Sequence, residues 1–303
     1  MDNKELSALI ALQHIPGIGS ITAKRLVESV GSASFLFEHC KDLRELVPNI
    51  QSSLIQSLDC PAAHHRAEQE LEFIQKHHIT CVGYNDADFP SRLRECDDAP
   101  ILLFYRGNTT LNPRRVVSIV GTRKCTDYGR DLCEHLVRDL SAQCPDLLIV
   151  SGLAYGIDVC AHRAAIKYGV PTVGVLAHGL DRIYPSVHRN IAAQMTTCGG
   201  LLTEYISSTE PERTNFLQRN RIVAGMADAT IIVESAAKGG ALVTANIANS
   251  YGRDCFAFPG RVGDVSSAGC HKLICHHQAA LITSAEDIIE AMMWDSQQPQ
   301  KPE

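Results

Sequence analysis

Several short stretches of this chain carry side chains able to hold an anion. "SIVGTRKCTDYGR" (118–130) sets Gly121, Thr122, Arg123 and Lys124 between a strand and a helix that Thr126 or Asp127 would cap. Free N–H groups at a helix amino end attract negative charge, and a guanidinium beside them is a planar phosphate donor. The stretch is not GxGxxG, so the dinucleotide fingerprint is absent here. "SGLAYGIDVCAHRAA" (151–165) repeats the plan with Ser151, Gly152 and Gly156 in a Gly-rich turn and Asp158 at the helix start. "KGGALVTANIANSYGRDCFAFPG" (238–260) offers a third such turn in Lys238, Gly239 and Gly240.

Two stretches add aromatic and cationic groups. "AHGLDRIYPSVHRN" (177–190) places Tyr184 before Pro185, a ring on which a single-stranded base can stack. "NFLQRNRIVAG" (215–225) carries Arg219, Asn220 and Arg221 at the foot of the apolar run "ADATIIVES". Long charged side chains are seldom buried without partners, so an anion is expected there. Positions two apart on a helix point in different directions, so one Arg would face the cleft while the other braces a loop or carboxylate. Asp158 and His162 share a helix face at a spacing that suits a structural hydrogen bond or a proton-transfer pair. Cys270, His271, Cys275 and His276 match none of the common zinc spacings, so no metal is expected.

The elements that must position these groups follow from periodicity. Residues 1–78 read as an all-helical domain, in which "HIPGIGSITAKRLVESVG" (14–31) has the form of a helix-hairpin-helix, with Lys24 and Arg25 on its second helix. Such a hairpin can present turn amides to a phosphate backbone. Residues 79–112 read as a connector with short strands, punctuated by Pro90, Pro100 and Gly107. From 113 to 295, short apolar runs ("VVSIVGT", "DLLIVSG", "PTVGVLA", "GLLTEY", "ATIIVES", "DCFAFPG") alternate with helix-length segments. That alternation predicts an α/β domain, a doubly wound, mostly parallel sheet covered on both faces. Its Gly-rich loops would then open at one carboxyl edge, where open α/β sheets bind ligands. Residues 296–303 read as a polar, disordered tail.

Composition narrows the classes. The net charge of −6 excludes a globally basic nucleic-acid binder but not a local basic groove. Five basic residues and one acidic residue lie between Arg114 and Arg130, and three Arg and no acid between Arg213 and Arg221. No apolar stretch is long enough for a membrane span, and "MDNKELSALI" is not a secretory signal. The twelve cysteines are scattered without a CxxC pair, and are expected as reduced thiols in a cytoplasm.

In order, "PGIG", the connector "ITCVGYNDADFPSRLRECDDAPILLFYRGN", "SIVGTR", "SGLAYGID", "GLDRIYP", "LLTEY", "NFLQRNRIVAG", "GGALVTA" and "GRDCFAFPG" make the chain resemble the DprA/Smf family of DNA-processing proteins over nearly its whole length. The resemblance implies a SAM-like or helix-hairpin-helix domain before an extended Rossmann domain. It implies a cytoplasmic homodimer that binds single-stranded DNA and loads RecA recombinase during natural transformation, with no catalysis and no cofactor. It implies contacts at Arg123, Tyr184, Arg219 and Arg221, with Gly121, Gly152 and Gly156 shaping the loops. His271 stands where the family usually has Asn, and many members carry a C-terminal winged-helix domain that this chain stops short of. The alternative is an enzyme: a related Rossmann branch hydrolyses nucleoside monophosphates, and "KGGALVT" with Glu234 partly matches its loop, although the full PGGxGTxxE pattern is missing.

Overall fold

The computed structural model describes residues 1–40, 42–47 and 50–294; the expected tail at 296–303 lies outside the described residues. The N-terminal part is helical: α1 (Asn3–Gln13), α2 (Ser20–Val30), α3 (Ala33–Glu38), α4 (Leu43–Leu46), α5 (Ser52–Leu58) and α6 (Pro61–His77). Helix α1 is apolar nearly all round, and Ala8 to Leu12 are all buried, so it forms the centre of this layer. The Asp2 side chain caps it by accepting the Glu5 amide at 2.8 Å.

The rest of the chain builds one nine-stranded sheet among the described residues, in the order β1-β2-β6-β5-β4-β3-β7-β8-β9. Its strands are β1 (Thr80–Gly83), β2 (Leu102–Gly107), β3 (Arg115–Val120), β4 (Leu147–Ser151), β5 (Thr172–Val175), β6 (Gly199–Thr203), β7 (Ala229–Ile232), β8 (Asp254–Ala257) and β9 (Ala280–Leu281). The helices between them are α7 (Ser91–Arg94), α8 (Asp127–Gln143), α9 (Ile157–Lys167), α10 (Arg189–Cys198), α11 (Arg213–Gly225), α12 (Ala241–Ser250), α13 (Ala268–Cys275) and α14 (Ala285–Ala291). Strands β3 to β9 pair in parallel.

Alternation along each strand assigns the two faces. Val117 and Ile119 join the core under α8, α9 and α14, while Val116 and Val120 join the core under α11, α12 and α13. The expected doubly wound α/β architecture is therefore present. The segment read as a connector does more than connect: β2 pairs antiparallel with β6, and β1 with β2, so the sheet extends to Thr80. In β2 the side chains divide between layers. Leu103 and Tyr105 enter the sheet core, and Leu102 and Phe104 enter the core of the helical layer. Each fully buried side chain of this size contributes about 1.5–3 kcal/mol by transfer from water.

Candidate functional site

Loops following β3, β4 and β7 meet the amino-terminal half of α11 around a crevice of about 330 Å³ at the carboxyl rim. It lies where the strand order reverses, with β4 on one side of β3 and β7 on the other. Gly121, Thr122, Arg123, Gly152, Asp158, Arg219, Asn220, Gly239 and Gly240 all line it, together with Phe216.

Arg219 forms the floor. It is 4% exposed, and its Nη1 donates to the Gly152 carbonyl at 2.6 Å and to the Val175 carbonyl. Its Nε donates to Asn220 Oδ1 at 3.3 Å. Burial lowers its proton affinity, an effect that the nearby Asp158 charge opposes. Asp158 shows the reverse: burial raises its pKa, and the Arg219 charge pulls it down. Gly152 makes this possible, because a Cβ there would stand 2.5 Å from Arg219 Cζ. Gly156, at φ +77°, lets the start of α9 close on the first loop; a Cβ would come within 2.8 Å of Arg123 Cα. The Ile157 amide completes that junction by donating to the Thr122 carbonyl at 3.2 Å.

Arg123 is exposed at the mouth, with its guanidinium 5.3 Å from the Phe216 ring centroid. The Phe216 ring lies 5.8 Å from the Tyr184 ring, which is 47% exposed. A cation and two rings therefore stand in a row along the rim, in reach of solvent.

Other expected residues are placed elsewhere. Arg221 is not in the crevice. It points to the opposite side of α11, where Nη2 pairs with the buried Glu204 and donates to Ser20 Oγ at 3.1 Å, while Nη1 donates to the Asp98 carbonyl at 2.6 Å. Ser151 is fully buried and donates to the Ile119 carbonyl at 2.6 Å, so its hydroxyl serves the sheet. Lys124 and Lys238 are exposed on their loops but do not line the crevice. The amino end of α8 is not open to a ligand. Thr126 caps it by accepting the Gly129 amide at 3.1 Å, and the Glu234 carboxylate takes the Thr126 amide at 2.9 Å and its hydroxyl at 2.7 Å. The positive end of that helix is already neutralised from within.

Asp158 and His162 do not pair as their spacing suggests. His162 Nδ1 meets Thr172 Oγ1 at 2.7 Å, and Asp158 takes the Ala154 amide at 3.4 Å. The Thr172 hydroxyl donates to the Ile149 carbonyl at 3.0 Å, so it accepts from His162 and fixes the Nδ1–H tautomer. His271 Nε2 meets the backbone of Gly260. In the N-terminal hairpin, Lys24 Nζ lies 4.8 Å over the Tyr84 ring and donates to the Cys96 carbonyl at 3.4 Å, while Arg25 stays exposed. Sequence reasoning did not single out Glu204, whose role depends on a contact 17 residues away. No helix among the described residues is long and apolar enough to cross a membrane.

A doubly wound sheet with an arginine-lined crevice at its switch point and no dinucleotide loop defines a Rossmann-like α/β protein. The chain belongs to the DNA recombination-mediator protein A family, whose model matches residues 80–293. It is 39% identical over 204 residues to the DNA processing protein DprA of Streptococcus pneumoniae, a match covering 67% of this chain and 71% of that one. The X-ray structure of the pneumococcal protein superposes with a TM-score of 0.74 at 30% identity, covering 96% of this chain and 98% of that one. DNA processing protein A of Helicobacter pylori, solved to show its single-stranded DNA binding mode, superposes with a TM-score of 0.64 at 28% identity over 72% of this chain and 97% of its own.

Proposed function

We propose that this protein binds single-stranded DNA along the carboxyl rim of its sheet. Phosphates meet Arg123 at the mouth and the Arg219-floored crevice, and bases stack on Tyr184 and Phe216. The observation that carries this reading is the row of Arg123, Phe216 and Tyr184, one exposed cation followed by two rings. A charged groove combined with stacking rings binds single strands with little regard to sequence. The Helicobacter pylori relative, solved for its single-stranded DNA binding mode, supports the same partner. The net charge of −6 is compatible, since only the crevice must be positive.

The fuller role is to protect incoming DNA and load RecA recombinase on it during natural transformation, acting as a cytoplasmic homodimer without catalysis or a cofactor. Family membership supports this role. The hydrolase alternative is disfavoured, because Glu234 is buried and holds Thr126 instead of facing the crevice.

The test is a titration of single- against double-stranded oligonucleotides with wild type and Arg123→Ala. The expected result is preference for the single strand, a loss of about 1–3 kcal/mol on substitution, and a steep fall in affinity with salt as counterions are displaced. Unchanged affinity in the variant or a flat salt response contradicts the reading. Release of free base from nucleoside monophosphates would favour the hydrolase.

A further inference from the structure

The rim holds more exposed rings than the row beside Arg123. Tyr155 stands at the tip of the β4–α9 loop, next to Ala154 of the crevice lining, and is 48% exposed. Its ring packs edge-on against His188, with centroids 5.2 Å apart and planes at 64°. His188 is itself buried, and its Nδ1 meets the Leu153 carbonyl at 2.9 Å, so the ring behind Tyr155 is pinned to the same loop that carries it. One side of Tyr155 is therefore fixed and the other is open. The residues from Tyr184 to His188 hold both platforms, Tyr184 backed by Phe216 at one end and Tyr155 backed by His188 at the other.

An exposed cation also stands on this side of the rim. Arg189 begins α10 directly after His188; it is exposed and forms no ion pair among the described residues. On the opposite side, the exposed ring of Tyr128 ties its hydroxyl to the Pro259 carbonyl at 2.9 Å. A polyanion that continues past Tyr155 meets the cation of Arg189.

We infer that Tyr155 is a second stacking platform for single-stranded nucleic acid, with Arg189 beside it as a phosphate contact, so that the strand leaves the crevice toward the β4 and β5 loops. This inference rests on the single-strand reading above and adds a direction and a footprint to it. A ring held by packing loses little freedom when a base stacks on it, which is why a backed, half-exposed tyrosine suits the role.

The experiment measures fluorescence anisotropy of labelled oligo-dT in two lengths, one short enough to occupy the crevice alone and one long enough to pass Tyr155. It uses wild type, Tyr155→Ala, Tyr155→Phe, Arg189→Ala, Arg123→Ala and Tyr184→Ala. Tyr155→Ala weakens the long oligonucleotide roughly 5- to 100-fold and leaves the short one unchanged. Tyr155→Phe restores binding, because the π-face suffices, and Arg189→Ala reduces the salt dependence for the long oligonucleotide only. If Tyr155→Ala binds both lengths like wild type while Arg123→Ala and Tyr184→Ala bind weakly, the inference fails and the single-strand reading stands. Equal loss at both lengths also overturns it, since Tyr155 would then act through the crevice. If none of the variants weakens binding, both fall.

Discussion

The guanidinium of Arg219 lies against the backbone of Gly152 and donates to that residue's own carbonyl at 2.6 Å. The contact sets the floor of the crevice, because a side chain at 152 and the guanidinium would compete for one volume. Gly152→Ala should therefore displace Arg219 and cost about 1–3 kcal/mol of stability by overpacking. Denaturant unfolding and oligo-dT affinity should both fall together. A variant with wild-type stability and affinity would show that the floor is not built this way.

The two helix-neighbouring arginines should separate in their effects. Arg221 and Glu204 are buried together, at 12% and 8% side-chain exposure. Removing one charge of such a pair leaves the other uncompensated, at a cost of about 3–5 kcal/mol. Arg221→Ala should thus lower the melting temperature strongly while the folded fraction retains its DNA affinity. Adding Glu204→Gln to it should recover part of the loss. An Arg221→Ala variant that melts normally but fails to bind DNA would return this residue to the binding surface.

Tyr184 is half exposed and backed by Phe216, so its contribution should be stacking. Tyr184→Ala should cost about 1–3 kcal/mol of binding for oligo-dT, oligo-dC and oligo-dA alike. A loss confined to one base would point to hydrogen-bonded readout instead.

His162 gives the pH dependence. Its pKa is lowered to about 3, chiefly by burial, with the charges of His188 and Arg219 adding to the effect. Among the described residues Nε2 has no hydrogen-bond partner, so protonation in the folded state would leave a buried charge unsatisfied. The depressed folded pKa means that the unfolded state binds the proton more readily. The contribution of neutral His162 is thus fully present above the unfolded value near 6.5 and is lost as pH falls toward 3. Unfolding measured across that window should show stability declining with acid, and His162→Asn should flatten the decline. Parallel curves for the two proteins would assign the acid sensitivity elsewhere.

Much of this architecture could be read in the chain because β3 to β8 are short apolar runs whose helices have length and caps of their own. The Thr126 cap is local and was legible as one of two choices. The destination of each long side chain was not. Spacing indicates that Arg219 and Arg221 diverge, but only the packing of α11 between the sheet and the helical layer decides which one meets the crevice. Glu234 at the amino end of α8 was hidden for the same reason, since the two are 108 residues apart. The strands of the connector were visible, but the antiparallel pairing of β2 with β6 brings the Tyr105 side chain against Gly199 and Gly200, a contact across 94 residues.

Strand β2 has a consequence for how the molecule moves. Its odd-numbered apolar side chains belong to one core and its even-numbered ones to the other, so moving the helical layer away would expose Leu102 and Phe104 to water. The helical layer and the sheet should therefore melt in one cooperative transition, because they share this strand.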